Sequence, residues 1–161
     1  MKKNLKSVYL IGLILFISIA FYGCAGPTDY QKSIYNDDSK ISKDGDSYFS
    51  INRSEISSKN TIEMRFGKFY GSQTIRLIEA SKEGTISVSF KSEVSRGKIK
   101  CVLITPDKKV TNIFEQEDEG TVDLKVHKGK NLIKVVGYDA KAKFNLEVST
   151  SDKMRIQEVD N

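Results

Sequence analysis

Few residues in this chain have side chains that could carry out catalysis. It has one histidine, His127, and two cysteines, Cys24 and Cys101. A catalytic zinc site takes three protein ligands, and a reactive thiolate needs a cationic, partly exposed setting. Cys101 instead alternates with Ile99 and Leu103 in an apolar run, which predicts a buried side chain. No Gly-x-Ser-x-Gly motif accompanies His127. We therefore predict no catalytic residues and a protein that is not an enzyme.

Acidic residues give a weaker signal for a metal site. Asp44 and Asp46 lie near the start of the predicted strands, and carboxylate oxygens are the ligands that Ca²⁺ prefers. Their spacing does not match an EF-hand loop. We predict that no metal is bound and keep calcium at Asp44 and Asp46 as the alternative.

Two tyrosines and two lysines are the candidates for binding a partner. Tyr70 and Tyr138 each combine an apolar ring with a polar tip. Lys128 and Lys130 belong to a basic strip that also contains Lys134, and such a strip suits anionic wall polymers or lipid headgroups. Lysines on wet strand faces also protect sheet edges from aggregation, so both interpretations stay open.

The first 23 residues have the organisation of an export signal. Three lysines precede residues 8–22 (VYLIGLILFISIAFY), an uncharged stretch of 15 residues that ends before Gly23. A membrane-spanning helix needs about 20 apolar residues. A basic start, a short apolar core and a small residue at the end predict a secretory signal peptide over residues 1–23, with an uncleaved anchor as the alternative.

The residues at the predicted cut resemble the lipobox of bacterial lipoproteins. Phe21-Tyr22-Gly23-Cys24 places a small residue directly before a cysteine, although leucine is usual where Phe21 stands. The resemblance implies a diacylglycerol linked to Cys24, cleavage before it, and a location on the extracytoplasmic face of the cell membrane. Two acyl chains are sufficient for stable anchoring, at about 0.8 kcal/mol per buried methylene.

The charge balance argues against a nucleic-acid partner. The whole chain has a net charge of +5, with 26 basic and 21 acidic residues. Three of the basic residues lie in the predicted signal peptide, so 23 basic residues face 21 acidic ones after cleavage. A nearly neutral, exported domain lacks the basic footprint of a nucleic-acid-binding protein.

Polarity patterns divide the rest of the chain. Residues 24–46 are polar with little apolar periodicity, which predicts a flexible tether; the lipobox resemblance implies that its first residue, Cys24, carries the lipid. Period-two alternation then begins, as in GTISVSFK, GTVDLKV and KAKFNLEV, and it predicts strands with one wet face. We expect an all-β fold over residues 47–148, an antiparallel β-sandwich or jelly roll of about eight strands. Residues 149–161 form a tail for which a frayed end, a short helix and an edge strand all stay open.

Residues 65–148 resemble the pre-peptidase C-terminal domains that follow secreted bacterial peptidases. The resemblance rests on FGKFYGSQTIRLIEASKEGTISVSF, IKCVLITPDKKVTNIF and GTVDLKVHKGKNLIKVVGYDAKAKFNLEV, with departures at Lys108, Asn131-Leu132 and Ala142. It implies a non-catalytic accessory sandwich, of a kind that in some members resembles collagen- or carbohydrate-binding domains and in some binds structural calcium.

Three functions remain after these exclusions. The first is a membrane-anchored surface lipoprotein with a non-catalytic binding module for an envelope protein or wall polymer. The second is a structural or stress-response envelope lipoprotein without a specific ligand. The third is a small extracellular hydrolase, which requires His127 to lie within hydrogen-bond reach of a serine and an aspartate.

Overall fold

The computed structural model describes residues 26–150 and 154–159, which form two short helices followed by eight strands. The helices are α1 (Asp29–Ser33) and α2 (Asp38–Ile41). The strands are β1 (Ser47–Ile51), β2 (Ser54–Ser57), β3 (Thr61–Ala80), β4 (Gly84–Ile104), β5 (Val110–Glu115), β6 (Asp118–Val126), β7 (Gly129–Thr150) and β8 (Met154–Glu158). Neither described helix has the length and apolar character needed to cross a membrane. The predicted signal peptide and Cys24 lie outside the described residues.

Three very long strands organise a single antiparallel sheet. β3, β4 and β7 have 20, 21 and 22 residues, and β7 pairs with β3 on one side and β4 on the other. The shorter strands extend the sheet: β2, β1 and β8 pair with β3, while β6 and β5 pair with β4. A straight strand of 22 residues would span about 70 Å. Register shifts interrupt the pairing near the middle of β3 and β4, and the long strands bend there.

The bends bring the two halves of the sheet face to face around one hydrophobic core. Ile62 and Met64 from the first half of β3 belong to the same buried cluster as Ile75 and Ile78 from its second half. We call the half that contains β2 and β6 the first layer, and the half that contains β1, β5 and β8 the second layer. The fold is therefore an antiparallel β-sandwich whose layers are joined by bent strands, which confirms the predicted all-β sandwich of about eight strands.

Glycines permit the backbone geometry of the bends. Gly97 in β4 has φ +72°, and a Cβ atom there would lie 2.2 Å from the carbonyl oxygen of Asp139. Gly71 in β3 has φ +98°, and a Cβ atom would lie 2.0 Å from a backbone oxygen of β1. Residues with a Cβ atom rarely adopt this conformation. The register shift before Gly71 also turns both Phe66 and Phe69 into the core, where their ring centroids are 4.5 Å apart.

The N-terminal segment is folded from residue 28 onward, so the prediction of a flexible tether is wrong there. Ile34, Tyr35 and Ile41 are at most 3% exposed and pack on the outer face of the second layer, against an apolar strip that includes Val102 and Val136. These three side chains are isolated in a polar sequence. Their segment folds because the apolar strip of the sheet removes these side chains from water. The strip comes from distant strands, so the local composition of the segment does not reveal it.

The C-terminal residues settle one open alternative. β7 continues to Thr150, and β8 pairs with residues 76–80 of β3 as an edge strand. Ile156 of β8 is 5% exposed and joins the main core. The described part of the predicted tail therefore belongs to the sandwich.

Candidate functional site

The bends bring Tyr70 and Tyr138 together on the outer face of the second layer. Tyr70 precedes Gly71 in β3, and Tyr138 follows Gly137 in β7; these two glycines are register partners. The two rings meet edge to face, with centroids 5.3 Å apart and an interplanar angle of 71°. Tyr138 is 44% exposed and Tyr70 is half-buried. Two of the four predicted partner-binding residues thus form one aromatic surface.

Cations surround this aromatic pair and outnumber the one carboxylate among them. Asp139 lies 3.3 Å from Nε of Arg96 and 3.8 Å from Nζ of Lys68. Lys68 also lies over the ring of Tyr70, at 5.7 Å from its centroid. Lys98 is the register partner of Tyr138 and is exposed. We call the six residues Lys68, Tyr70, Arg96, Lys98, Tyr138 and Asp139 the tyrosine surface.

The hydroxyl of Tyr70 stays protonated near neutral pH. Partial burial and the negative charge of Asp139 both raise the pKa of Tyr70 above its ordinary value. A neutral phenol both donates and accepts hydrogen bonds. The tyrosine surface therefore presents ring faces, hydroxyl groups and cationic donors side by side.

Tyr35 marks the border between the tyrosine surface and the N-terminal segment. Its ring lies 6.0 Å from Nζ of Lys98 and 5.1 Å from Nζ of Lys100. Its hydroxyl donates a hydrogen bond of 2.9 Å to Glu115. Burial is the main reason that the pKa of Tyr35 is raised, and the contact with Glu115 raises it further. The N-terminal segment thus covers one end of this sheet face and leaves the end with Tyr138 open.

The two predicted lysines do not reach this surface. Lys130 lies eight positions before Tyr138 on β7, about 26 Å along an extended strand, and Lys128 lies in the preceding turn. Both are exposed at the opposite end of the second layer. The predicted basic strip is also wrong at Lys134, whose side chain is 0% exposed. The strip is therefore not one continuous surface.

A lysine ammonium group lies beside each of the two carboxylates considered for calcium. Asp46 accepts hydrogen bonds of 2.9 and 2.7 Å from the backbone N and hydroxyl of Thr74, and lies 3.6 Å from Nζ of Lys134. Asp44 lies 2.6 Å from Nζ of Lys108. A positive charge beside each carboxylate opposes a divalent cation. Within residues 26–150 and 154–159, no group of three or more His, Cys, Asp or Glu residues could hold a metal ion.

His127 and Cys101 are the two residues on which hydrolase chemistry would depend. Nδ1 of His127 lies 3.2 Å from Asp107, so two members of a triad are adjacent. Cys101 is fully buried in the core, and this burial raises the pKa of its thiol. The thiolate, which is the nucleophilic form, is therefore disfavoured at Cys101.

A second concave surface lies on the first layer. It encloses about 390 Å³, and Ile56, 72% exposed, stands at its margin. Two of its charged side chains are paired within the protein: Glu63 lies 3.0 Å from Lys143, and Lys91 lies 2.8 Å from Glu119. Glu147 is the remaining charged residue of its lining, so this groove presents a carboxylate where the tyrosine surface presents cations.

Sequence reasoning identified Tyr70 and Tyr138 but missed the four charged residues around them. Lys68, Arg96, Lys98 and Asp139 come from three different strands. One available signal was the cluster of glycines near them, Gly71, Gly97 and Gly137, because glycine in a strand interior often marks a bend or a close backbone approach.

Comparisons with known proteins add fold-level likenesses only. No protein-family model matches this chain. No curated protein sequence matches it. A family two carbohydrate esterase from Cellvibrio japonicus is 12% identical over 71% of this chain, with a TM-score of 0.35, and the chain spans 33% of its length. A family 35 carbohydrate-binding module from an environmental isolate is 14% identical, with coverages of 73% and 90% and a TM-score of 0.34. Another family 35 module, described in complex with a disaccharide containing glucuronic acid, is 10% identical, with coverages of 86% and 95% and a TM-score of 0.36. All three TM-scores are below 0.5, so these likenesses identify no ligand for this chain.

Proposed function

We propose that this chain is a lipid-anchored protein of the extracytoplasmic membrane face whose β-sandwich binds an anionic envelope polymer without catalysis. The anchor rests on the signal-like sequence before Cys24 and on its resemblance to a lipobox. The binding function rests on one observation: the edge-to-face pair of the half-buried Tyr70 and the exposed Tyr138 is flanked by more cations than carboxylates.

The chemistry of the tyrosine surface suits a polymer that carries both rings and negative charge. Aromatic faces bury apolar ligand surface at low entropic cost because the rings are rigid. Arg96 directs two of its nitrogens at Asp139, at 3.3 and 3.4 Å, and a guanidinium has five N–H donors, so further donors remain for a carboxylate or phosphate of the ligand. Asp139 holds Arg96 and Lys68 in place and offsets part of their charge. The ligand therefore needs anionic groups next to a sugar-like or similar hydroxylated ring.

Binding to defined polymers tests this proposal. The protein, purified in detergent, is titrated with polygalacturonate, with poly(glycerol phosphate) and with uncharged dextran. We expect binding to at least one anionic polymer that weakens as salt is added, because exposed charges are screened, and no binding to dextran. We expect Tyr138→Ala to weaken that binding about tenfold, as removal of a central aromatic contact does.

Tyr30 provides a matched control because it is also an exposed tyrosine, at 40%, and lies outside the tyrosine surface. Tyr30→Ala in detergent leaves polymer affinity unchanged if the assignment is correct. Equal losses in the two variants, or no binding to either anionic polymer, contradict the proposal. The second outcome favours an envelope protein with a structural role and no ligand. The mass of the purified protein, compared with that of a Cys24→Ser variant, reports separately on the lipid.

A further inference from the structure

The folded structure begins very close to the residue proposed to carry lipid. Thr28 caps α1: its hydroxyl accepts from the backbone N of Gln31 at 3.2 Å, and the Gln31 side chain accepts from the backbone N of Thr28 at 2.9 Å. Only three residues separate Cys24 from Thr28. The distance between these two residues is therefore at most about 14 Å, the length of a fully extended chain.

The segment that follows Thr28 is attached to the sandwich and does not lengthen this connection. The buried Lys134 donates hydrogen bonds of 2.9 Å to the carbonyl oxygen of Lys43 and 2.8 Å to that of Gly45. Asp46 is bound to Thr74. Together with the buried side chains of the N-terminal segment, these contacts fix the position of α1 and α2 on the second layer. A flexible tether of about 20 residues, by contrast, would have a mean span of about 25 Å and allow any orientation.

From this geometry we infer that the surface formed by α1 and α2 lies against the bilayer and that the tyrosine surface therefore faces the membrane. The inference rests on the lipid anchor of the proposed function. The occupant of this surface is the outer leaflet that holds the acyl chains of Cys24. The linker holds Thr28 within about 14 Å of the lipidated residue, so α1 stays close to the bilayer surface.

The side chains on α1 and α2 suit the headgroup region. Tyr30 is exposed, and Nζ of Lys40 and Lys43 lie 5.9 and 5.5 Å from its ring centroid. Tyrosine and lysine are side chains that place apolar stems at a membrane interface and polar tips in water. Acidic partners neutralise most of the charge, since Asp29 pairs with Lys32 and Asp37 pairs with Lys40. The short linker, rather than charge, therefore sets the orientation.

The same orientation restricts the ligand of the tyrosine surface. Lys134, Val136 and Tyr138 alternate along β7 and thus point to one side of the sheet. The N-terminal segment covers the first two, and Tyr138 stays open beside it. A ligand that reaches Tyr138 must then enter the gap between the sandwich and the membrane. The anionic polymer is accordingly one that lies at, or is attached to, the membrane surface.

Quenching by a headgroup-attached spin label tests the orientation. The full-length lipidated protein is placed in zwitterionic nanodiscs that contain spin-labelled headgroups, and a fluorophore is attached to Lys32→Cys on α1. Ser149→Cys, exposed on the outer face of the first layer, is the matched control. Cys101 does not react because it is buried. A third protein carries 20 Gly/Ser residues inserted between Pro27 and Thr28.

We expect at least threefold stronger quenching at position 32 than at position 149, and loss of that difference after the insertion. Equal quenching at both positions overturns the inference, and so does a difference that survives the insertion, because the short linker would not be its cause. Mass spectrometry of the same samples separates the two proposals. Absence of lipid on Cys24 overturns the anchor and the orientation together, whereas lipidated protein with equal quenching overturns the orientation alone.

Discussion

Replacing Lys134 with methionine should detach the N-terminal segment from the sandwich. The Lys134 side chain is 0% exposed, and its ammonium donates to two backbone carbonyls of the loop between α2 and β1. Asp46 lies 3.6 Å away. Methionine keeps the unbranched apolar stem and removes the charge and the donors. The substitution therefore isolates the polar attachment from the packing.

The magnitude follows from the contacts that are lost. A hydrogen bond to a charged group contributes about 1.5–3 kcal/mol, and breaking a buried ion pair costs about 3–5 kcal/mol. Burial lowers the pKa of Lys134, and Asp46 acts in the opposite direction. The cost of removing the ammonium from water therefore offsets part of the stabilisation that its contacts provide. We expect a loss of about 3 kcal/mol, which is about a hundredfold in an equilibrium constant. The loss should be local, because residues 28–46 can open without unfolding the sheet.

Hydrogen exchange measures this local opening. We expect amide protection in α1 and α2 to fall about a hundredfold in Lys134→Met, and protection in the centre of β3, β4 and β7 to change little. Lys141→Met is the control because Lys141 is exposed on the same strand, and surface substitutions usually change stability by less than about 0.5 kcal/mol. An equal effect in the two variants, or a loss spread evenly over the sandwich, would refute the reasoning.

Two further predictions concern the border and the bend of the site. The pKa of Tyr35 is raised in the folded state, so above pH of about 10, where an unfolded tyrosine ionises, the folded state binds more protons and stability falls as pH rises. Urea unfolding between pH 9 and 11 should show this fall in the natural protein and a smaller one in Tyr35→Phe; identical slopes would exclude the titration of Tyr35 as the cause. Gly97→Ala should destabilise by at least about 2 kcal/mol because of its positive φ and its 2.2 Å contact, and it should weaken polymer binding by shifting Tyr138. Gly120→Ala, whose Cβ atom would meet only Phe90 at 3.6 Å, is the thermal-unfolding control, and similar melting temperatures for the two variants would contradict the assigned strain.

The sequence was informative wherever one residue's environment follows from its neighbours along the chain. Alternation with a period of two places side chains on opposite faces of a strand, so it predicted the all-β class and the burial of Cys101. It failed where the backbone leaves that period. Phe66 and Phe69 are on opposite faces in a regular strand, and the register shift between them puts both in the core. Gly97 lies within the long, bent β4, where its positive φ permits the bend.

The tertiary structure decided everything that depends on contacts between distant parts of the chain. Ile34 and Ile41 look like isolated apolar residues in a polar tether, and only the strip of sheet beneath them makes their burial favourable. Lys134 looks like one more surface lysine, and only the loop folded over it supplies the carbonyls that its ammonium needs. Tyr70 and Tyr138 are 68 residues apart in sequence and meet because antiparallel pairing aligns Gly71 with Gly137. Such pairings depend on which distant surfaces are complementary in shape and charge, and no local pattern encodes that complementarity.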